Sequence, residues 1–229
     1  PKKFAEVPAA KRYTEQTTPK NEVIIAPYDA KNIYMVQLHN QNQKWSADRA
    51  PIIALFNEYF GGGMNAIVFQ ELREARGLAY SAYAQYDSPT RLGDSESFYT
   101  YIITQNDKMM DCVGEFNKLL NNVPVRQSGF DLAKQSLMKN LASQRTTKYS
   151  VLTAYLALQR LGLDCSLSEK IYNALPSLQL QDVINFEKEY IANKTFKYII
   201  LGNEKELDMK ALEKIAPIKR VTTEEIFGY

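Results

Sequence analysis

The chain has 229 residues, 45% hydrophobic and 24% charged, which is enough apolar material for a folded core and excludes wholesale disorder. Lys and Arg number 28 against 26 Asp and Glu, and five of those bases fall in residues 1–20, so the near-neutral remainder argues against a nucleic-acid-binding surface. No apolar run approaches the ~18 residues of a membrane span. The single histidine, His39, is poor equipment for zinc chemistry, and the two cysteines, Cys112 and Cys165, form no disulfide framework and fix no compartment.

Residues 1–20, with Pro1, Pro8 and Pro19 among scattered charges, read as a linker or arm ahead of a single domain over residues 21–229. A start at Pro1-Lys2-Lys3-Phe4, with neither initiator Met nor secretory apolar stretch, reads as a segment of something longer. Two β-branched runs, residues 22–26 and 33–38, flank the turn-like Pro27-Tyr-Asp-Ala-Lys-Asn32 and predict a hairpin. Ser46 is a candidate N-cap for a helix carrying Ile52, Leu55, Phe56 and Tyr59, which the flexible break Gly61-Gly62-Gly63 ends. Asn65 then caps a second helix with Val68, Phe69, Leu72 and Ala75 on one stripe, and Gly77 suits the left-handed position after its last turn.

Strands are predicted over residues 78–86 and 97–104, separated by the turn-rich residues 87–94. Helical stripes follow through Met109, Cys112, Val113, Phe116, Leu119 and Leu120, and then through residues 132–142, 152–163 and 183–191. A last strand, residues 196–201, ends at Gly202-Asn203, and a short helix occupies residues 207–215. This order predicts an α+β fold, an antiparallel or mixed sheet with helices packed on one face.

The most informative stretch is Gly61-Gly-Gly-Met-Asn-Ala-Ile-Val-Phe-Gln-Glu-Leu-Arg-Glu-Ala-Arg-Gly-Leu-Ala-Tyr80. It lacks GxxxxGK[ST] and a preceding strand, so it is no phosphate loop. Arg73 lies one turn after Phe69, and Tyr80 starts a strand just past Gly77, so both side chains can emerge at one helix–strand junction. A guanidinium and a phenol are both donors and suit a peptide carbonyl or a developing oxyanion. Spacing alone favours a plainer arrangement, a partly buried Arg beside a sheet Tyr.

This stretch, continued by Ser81, resembles the C-terminal-domain signature of the pitrilysin/insulinase family of zinc metallopeptidases, shared with mitochondrial processing peptidase-like domains. The order of elements over about residues 21–216 is similar to one whole domain of that family. In its active members an Arg and a Tyr seven residues later reach from a C-terminal half domain to a zinc site on the N-terminal half. The resemblance thus implies that Tyr80 donates to the scissile carbonyl or oxyanion and that Arg73 holds a neighbouring substrate carbonyl. Arg76 matches another basic position of the motif and reads as a partner for the helix C-terminus.

The family's HxxEH metal motif is absent here, because residues 36–43 read Val-Gln-Leu-His-Asn-Gln-Asn-Gln. The resemblance therefore implies a substrate-binding half of a zinc-dependent metalloendopeptidase, inactive alone. It would work on a peptide substrate with zinc held by a missing N-terminal half or partner subunit. The alternative is a non-catalytic peptide- or partner-binding subunit of the same fold.

Among the remaining residues, His39 reads as a surface histidine at a strand end, and both cysteines as small core hydrophobes. Trp45 reads as a partly buried residue at a helix entrance. Tyr80, Tyr83, Tyr86, Tyr99 and Tyr101 read mostly as cross-strand packing that also suits an extended peptide, and Glu71 and Glu74 as solvated helical charges.

Overall fold

The computed structural model describes residue 6, residues 15–145 and residues 147–228. Six strands, β1 (Glu22–Pro27), β2 (Asn32–His39), β3 (Ser81–Asp87), β4 (Ser97–Gln105), β5 (Lys197–Gly202) and β6 (Ile218–Arg220), form one sheet in the order β3-β4-β2-β5-β1-β6. β3, β4, β2 and β5 run antiparallel in turn, whereas β1 is parallel to β5 and β6, so the sheet is mixed.

The expected hairpin of β1 and β2 does not form. β5 lies between them, so that Tyr198 is level with Val23 on one side and Gln37 on the other. Turn chemistry over residues 27–32 reverses the chain but carries no information about a third strand entering the gap. The apolar run Tyr198-Ile-Ile-Leu201 suits a central strand, which needs neighbours on both edges. The connection passes the end of β5, where the Tyr28 amide donates to the Gly202 carbonyl at 3.0 Å. A Cβ on Gly202 would sit 2.8 Å from Cγ2 of Ile33, which is why the smallest residue ends the strand there.

Alternation along the strands separates the two faces. Val23, Ile25, Met35, Ile102 and Ile200 are fully buried on one face and join the helices in a single core. The first helix, α1 (Ala50–Phe56), continues as a π-helical segment, Asn57–Gly61; α2 (Ile67–Phe69) likewise continues through Gln70–Ala75. Their expected caps differ. Pro51 occupies the first turn of α1, while the Ser46 hydroxyl accepts from the Asp48 amide at 3.3 Å in the preceding turn. Ala66, not Asn65, precedes α2.

Phe56 stacks on Phe60 at 5.1 Å and meets Phe186 at 5.3 Å; such rings each contribute roughly 1.5–3 kcal/mol on burial. The later helices are α3 (Met109–Asn121), α4 (Gln127–Ser143), α5 (Lys148–Arg160), α6 (Leu167–Ala174), α7 (Leu180–Tyr190), α8 (Met209–Ile215) and α9 (Thr223–Phe227). α5 forms where a stripe was expected, but none of its residues is buried: Leu152 is 63% and Tyr155 55% exposed. Thr147 and Ser150 cap it reciprocally, and the Leu92 amide reaches its last carbonyl, Arg160 O, at 2.7 Å.

The triple glycine ends the helix as expected, and its first member is also fixed by close packing. A Cβ on Gly61 would lie 2.0 Å from the Ala84 carbonyl oxygen, so the end of the α1 segment presses directly on β3. The Asn57 side chain completes that contact, donating to Tyr86 O at 2.9 Å and accepting from Tyr86 N at 2.8 Å on the outer strand. Nearby, Glu96 is buried and takes Arg49 through both oxygens, with Tyr86 OH donating at 3.1 Å. Burial and the Glu96 carboxylate push the Tyr86 phenol upward.

His39 is buried, not on the surface. Its Nδ1 is 2.8 Å from Thr195 O and its ring packs 5.8 Å from Phe196, while burial lowers its pKa. Cys112 is a core residue whose thiol burial pushes up to about 12, whereas Cys165, between α5 and α6, is exposed, contrary to expectation. Trp45 is buried at the entrance to α1. Of the arm expected over residues 1–20, residue 6 and residues 15–20 are described and the others lie outside the described residues. Thr18 N donates to Asn40 O at 2.8 Å, and Ser95 N to the Glu15 carboxylate at 2.6 Å.

Gly61→Ala should cost about 1–3 kcal/mol in denaturant titrations, while Gly63→Ala, whose Cβ meets nothing within 4 Å, should change stability by less than about 0.5 kcal/mol. Glu187, on α7, is 1% exposed, its Oε1 has no hydrogen-bond partner among the described residues, and burial raises its carboxyl to about 7. The folded state therefore keeps a proton that the unfolded chain releases, and stability falls as pH climbs from the ordinary carboxyl value of 4.5 to about 7. Glu187→Gln should accordingly gain about 1–3 kcal/mol at pH 8 and little at pH 4, read as the difference in melting temperature.

Candidate functional site

The junction between the α2 segment and β3 is built by a helix stop. Gly77 adopts φ +58°, its amide returns to Arg73 O at 3.0 Å, and Leu78 N reaches Leu72 O at 2.8 Å, closing the helix in a left-handed cap. The chain then turns onto the sheet, where the Tyr80 amide donates to Ile103 O at 2.8 Å and the Thr104 hydroxyl donates to Leu78 O at 2.5 Å. β3 begins at Ser81, three residues later than the sequence suggested, because residues 78–80 are spent on this connection.

Arg73 and Tyr80 come together there. The Arg73 guanidinium lies 4.8 Å from the Phe69 ring centroid and 5.8 Å from that of Tyr80, within cation–π distance of both. Glu74 approaches its Nε only to 3.9 Å, at the outer limit of an ion pair. The Tyr80 side chain is 73% exposed, and among the described residues its phenol makes no hydrogen bond. Five guanidinium donors and one phenol donor thus stand side by side, accessible from solvent, an arrangement suited to binding carbonyl or carboxylate oxygens.

The other charges of the motif are occupied within the fold. Arg76 pairs with Glu115 at 3.3 Å and lies 4.0 Å from Glu71, which also pairs with Arg126. Glu71 is therefore an inter-helix bridge, not the solvated helical charge that its position suggested; nothing in the pattern of α2 signals the approach of Arg126 from the start of α4. Glu74 remains at the surface beside Arg73.

A broad face adjoins the site. On the side of the sheet away from the core, Tyr83 packs 5.1 Å from Tyr101 and 6.0 Å from Tyr99, and Ile199 and Leu201 remain exposed farther across. Tyr86 belongs to the opposite, buried face. Sequence reading recognised the tyrosine pairs but not the aliphatic continuation on β5, since it did not place that strand in the middle of the sheet.

The residues present do not fit a zinc centre. Among the described residues no three His, Cys, Asp or Glu side chains gather as a metal ligand set, and the one imidazole has Nδ1 on a backbone carbonyl with its ring in the core. Among the described residues no helix is long and apolar enough to cross a membrane.

The family described as "Peptidase M16 inactive domain" matches residues 2–137, a span that contains the whole Gly61–Tyr80 stretch. An uncharacterized zinc protease of Rickettsia bellii is 36% identical over 84 residues, which cover 36% of this chain and 20% of that protein. Among solved structures, a peptidase M16 inactive domain from Pseudomonas fluorescens superposes with a TM-score of 0.67 at 19% identity, over 86% of this chain and 47% of the other. A protease from Helicobacter pylori gives 0.64 at 15% identity, over 86% and 48%.

At these identities the structural matches speak for the fold, and the six-stranded mixed sheet with its helices is the shared architecture. The chain spans about half the length of the solved structures and a fifth of the curated relative. Since the family match covers more than half of its residues, the chain belongs to the peptidase M16 inactive-domain family.

Proposed function

We propose that the chain is the substrate-binding, C-terminal-type domain of a zinc-dependent metalloendopeptidase, with residues 21–229 forming that domain. The observation that carries this reading is the pair of solvent-facing donors, Arg73 within cation–π distance of Phe69 and Tyr80, and Tyr80 with its phenol unengaged. A peptide bond under attack needs donors near its oxygen, and an exposed phenol beside a guanidinium meets that need. The Rickettsia relative carries the name zinc protease, which supports zinc in the intact enzyme. The metal would be held by an N-terminal half or partner subunit, because among the described residues no His, Cys, Asp and Glu side chains gather as a ligand set.

In this reading the Tyr80 phenol donates a hydrogen bond to the scissile carbonyl oxygen as negative charge builds on it, and Arg73 grips a neighbouring carbonyl of the peptide backbone. Contact with Phe69 limits the rotamers that Arg73 must give up on binding. The tyrosine-lined sheet face offers an apolar wall for an extended peptide, and its aliphatic continuation on β5 offers contact area for the partner half. The same surfaces serve the second reading, a non-catalytic subunit that binds peptide or partner.

Cleavage of a quenched-fluorescence peptide by the complete zinc-bearing assembly, with and without chelator, separates the two. Chelator-sensitive cleavage is expected. Tyr80→Phe should then lower kcat by about 100-fold with KM and zinc content unchanged, and Arg73→Ala should chiefly raise KM. An unaltered kcat in Tyr80→Phe removes that phenol from the reaction, and no cleavage of any peptide turns the assignment to the non-catalytic subunit.

A further inference from the structure

Beside Tyr80 the chain leaves the sheet in a way that opens a recess. Pairing of β3 with β4 stops at Ser81 and Ile103, and residues 77–80 diverge from the end of β4 with only Thr104 to Leu78 and Tyr80 to Ile103 tying them back. The resulting cavity, about 360 Å³, lies at the small end of ligand sites and has room for one side chain but not a large cofactor. Leu78 and Ala79 line it, together with Asn32, Tyr80, Gln105 and Lys108.

The chemistry of that lining is one-sided. Among the residues that line the recess Lys108 carries the one charge, Asn32, Gln105, Tyr80 and Thr104 are polar, the Thr104 hydroxyl being engaged by Leu78 O, and none is an Asp or Glu. Lys108 Nζ donates to the Gly77 carbonyl at 3.4 Å, and among the described residues no acidic group lies within ion-pair distance of it. The local acids are placed elsewhere. Asp107 and Glu206 line an adjoining recess with Lys31, across Gln105, while Asp111 and Glu115 lie beyond Leu78 with Arg76 and Lys118. Glu115 is already paired with both of those bases.

We infer that the recess formed by Lys108, Asn32, Gln105 and Tyr80 is a carboxylate subsite, which selects peptides carrying an acidic group next to the bond presented to Tyr80. The inference rests on the peptide-binding reading above and adds a specificity to it. Lys108 acts as a point charge that the Gly77 carbonyl keeps at the recess, and the two amides are available to the second carboxylate oxygen. The carboxylate comes either from an Asp or Glu side chain or from the peptide's own C-terminus, and the two sources are separable by experiment.

The test is fluorescence anisotropy of this chain with labelled neutral ten-residue peptides. One series is C-terminally amidated with a single Glu placed at each position in turn, a second has Gln at the same positions, and a third peptide has Gln and a free C-terminus. One position of Glu, or the free C-terminus, should tighten binding by about three- to tenfold over the neutral amidated peptide, with the gain shrinking at high salt. Lys108→Ala should erase the gain and leave affinity for neutral peptides unchanged, Lys108→Arg should retain it, and circular dichroism should report an unchanged fold for both.

A preference for Glu assigns the side chain as the source, and a preference for the free C-terminus assigns the terminal carboxylate. Equal affinity for all peptides, or a preference that survives Lys108→Ala, overturns the subsite while leaving peptide binding standing. Absence of binding by every peptide overturns the peptide-binding reading and the subsite with it.

Discussion

Everything in the sheet depends on β5 entering between β1 and β2. Two strands joined by a four-residue connection are held one strand apart, and their intervening partner arrives from about 170 residues later in the chain. Until that strand is in place, β1 has only the three-residue β6 beside it, and the core face built on Val23, Ile25 and Ile200 is incomplete. Such pairing costs loop-closure entropy before it gives any contact energy, so the fold is dominated by non-local contacts. The helices between β4 and β5 are thus a long excursion whose two ends are fixed on the two sides of β2.

The donor pair lies at the opposite edge of this sheet and is positioned by different means. Gly77 stops the helix with a left-handed residue, Tyr80 is tied to Ile103, and Gly61 allows the end of the α1 segment to lean on β3. Rigid backbone under an exposed Tyr and Arg is the arrangement expected where donors must wait in position for a ligand, since the ordering cost is met during folding. The same divergence of chain that delivers Tyr80 leaves the recess with Lys108 at its mouth, so two features of the surface share one structural cause.

Much of this was legible in the sequence. The β3–β4 hairpin, Gly77 as helix stop, and the meeting of Arg73 with Tyr80 all follow from short-range spacing, which backbone geometry translates directly into proximity. What failed was whatever depended on a distant segment. The β1–β2 gap, the burial of His39 under Thr195 and Phe196, and the capture of Glu71 by Arg126 each involve a partner that local pattern cannot name. Gly61 is the instructive middle case: the glycine was visible, but flexibility and close approach look the same in a sequence, and only the position of Ala84 distinguishes them. At the recess, the sequence offered Lys108 as one base among many, with no signal that the chain around it parts.

The exposed helix α5 has a further consequence. Its Val151, Leu152, Tyr155 and Leu156 have the spacing of core residues, yet each stands in solvent, and the helix is fastened mainly by its own cap and by Leu92 at its end. Those apolar groups contribute almost nothing to the free energy of folding of this chain, and each exacts a cost in solubility. Evolutionary pressure to keep them apolar cannot come from the stability of the fold that carries them. Their chemistry is free to drift as far as folding is concerned, so substitutions along this one helix should leave the stability of the chain almost unchanged.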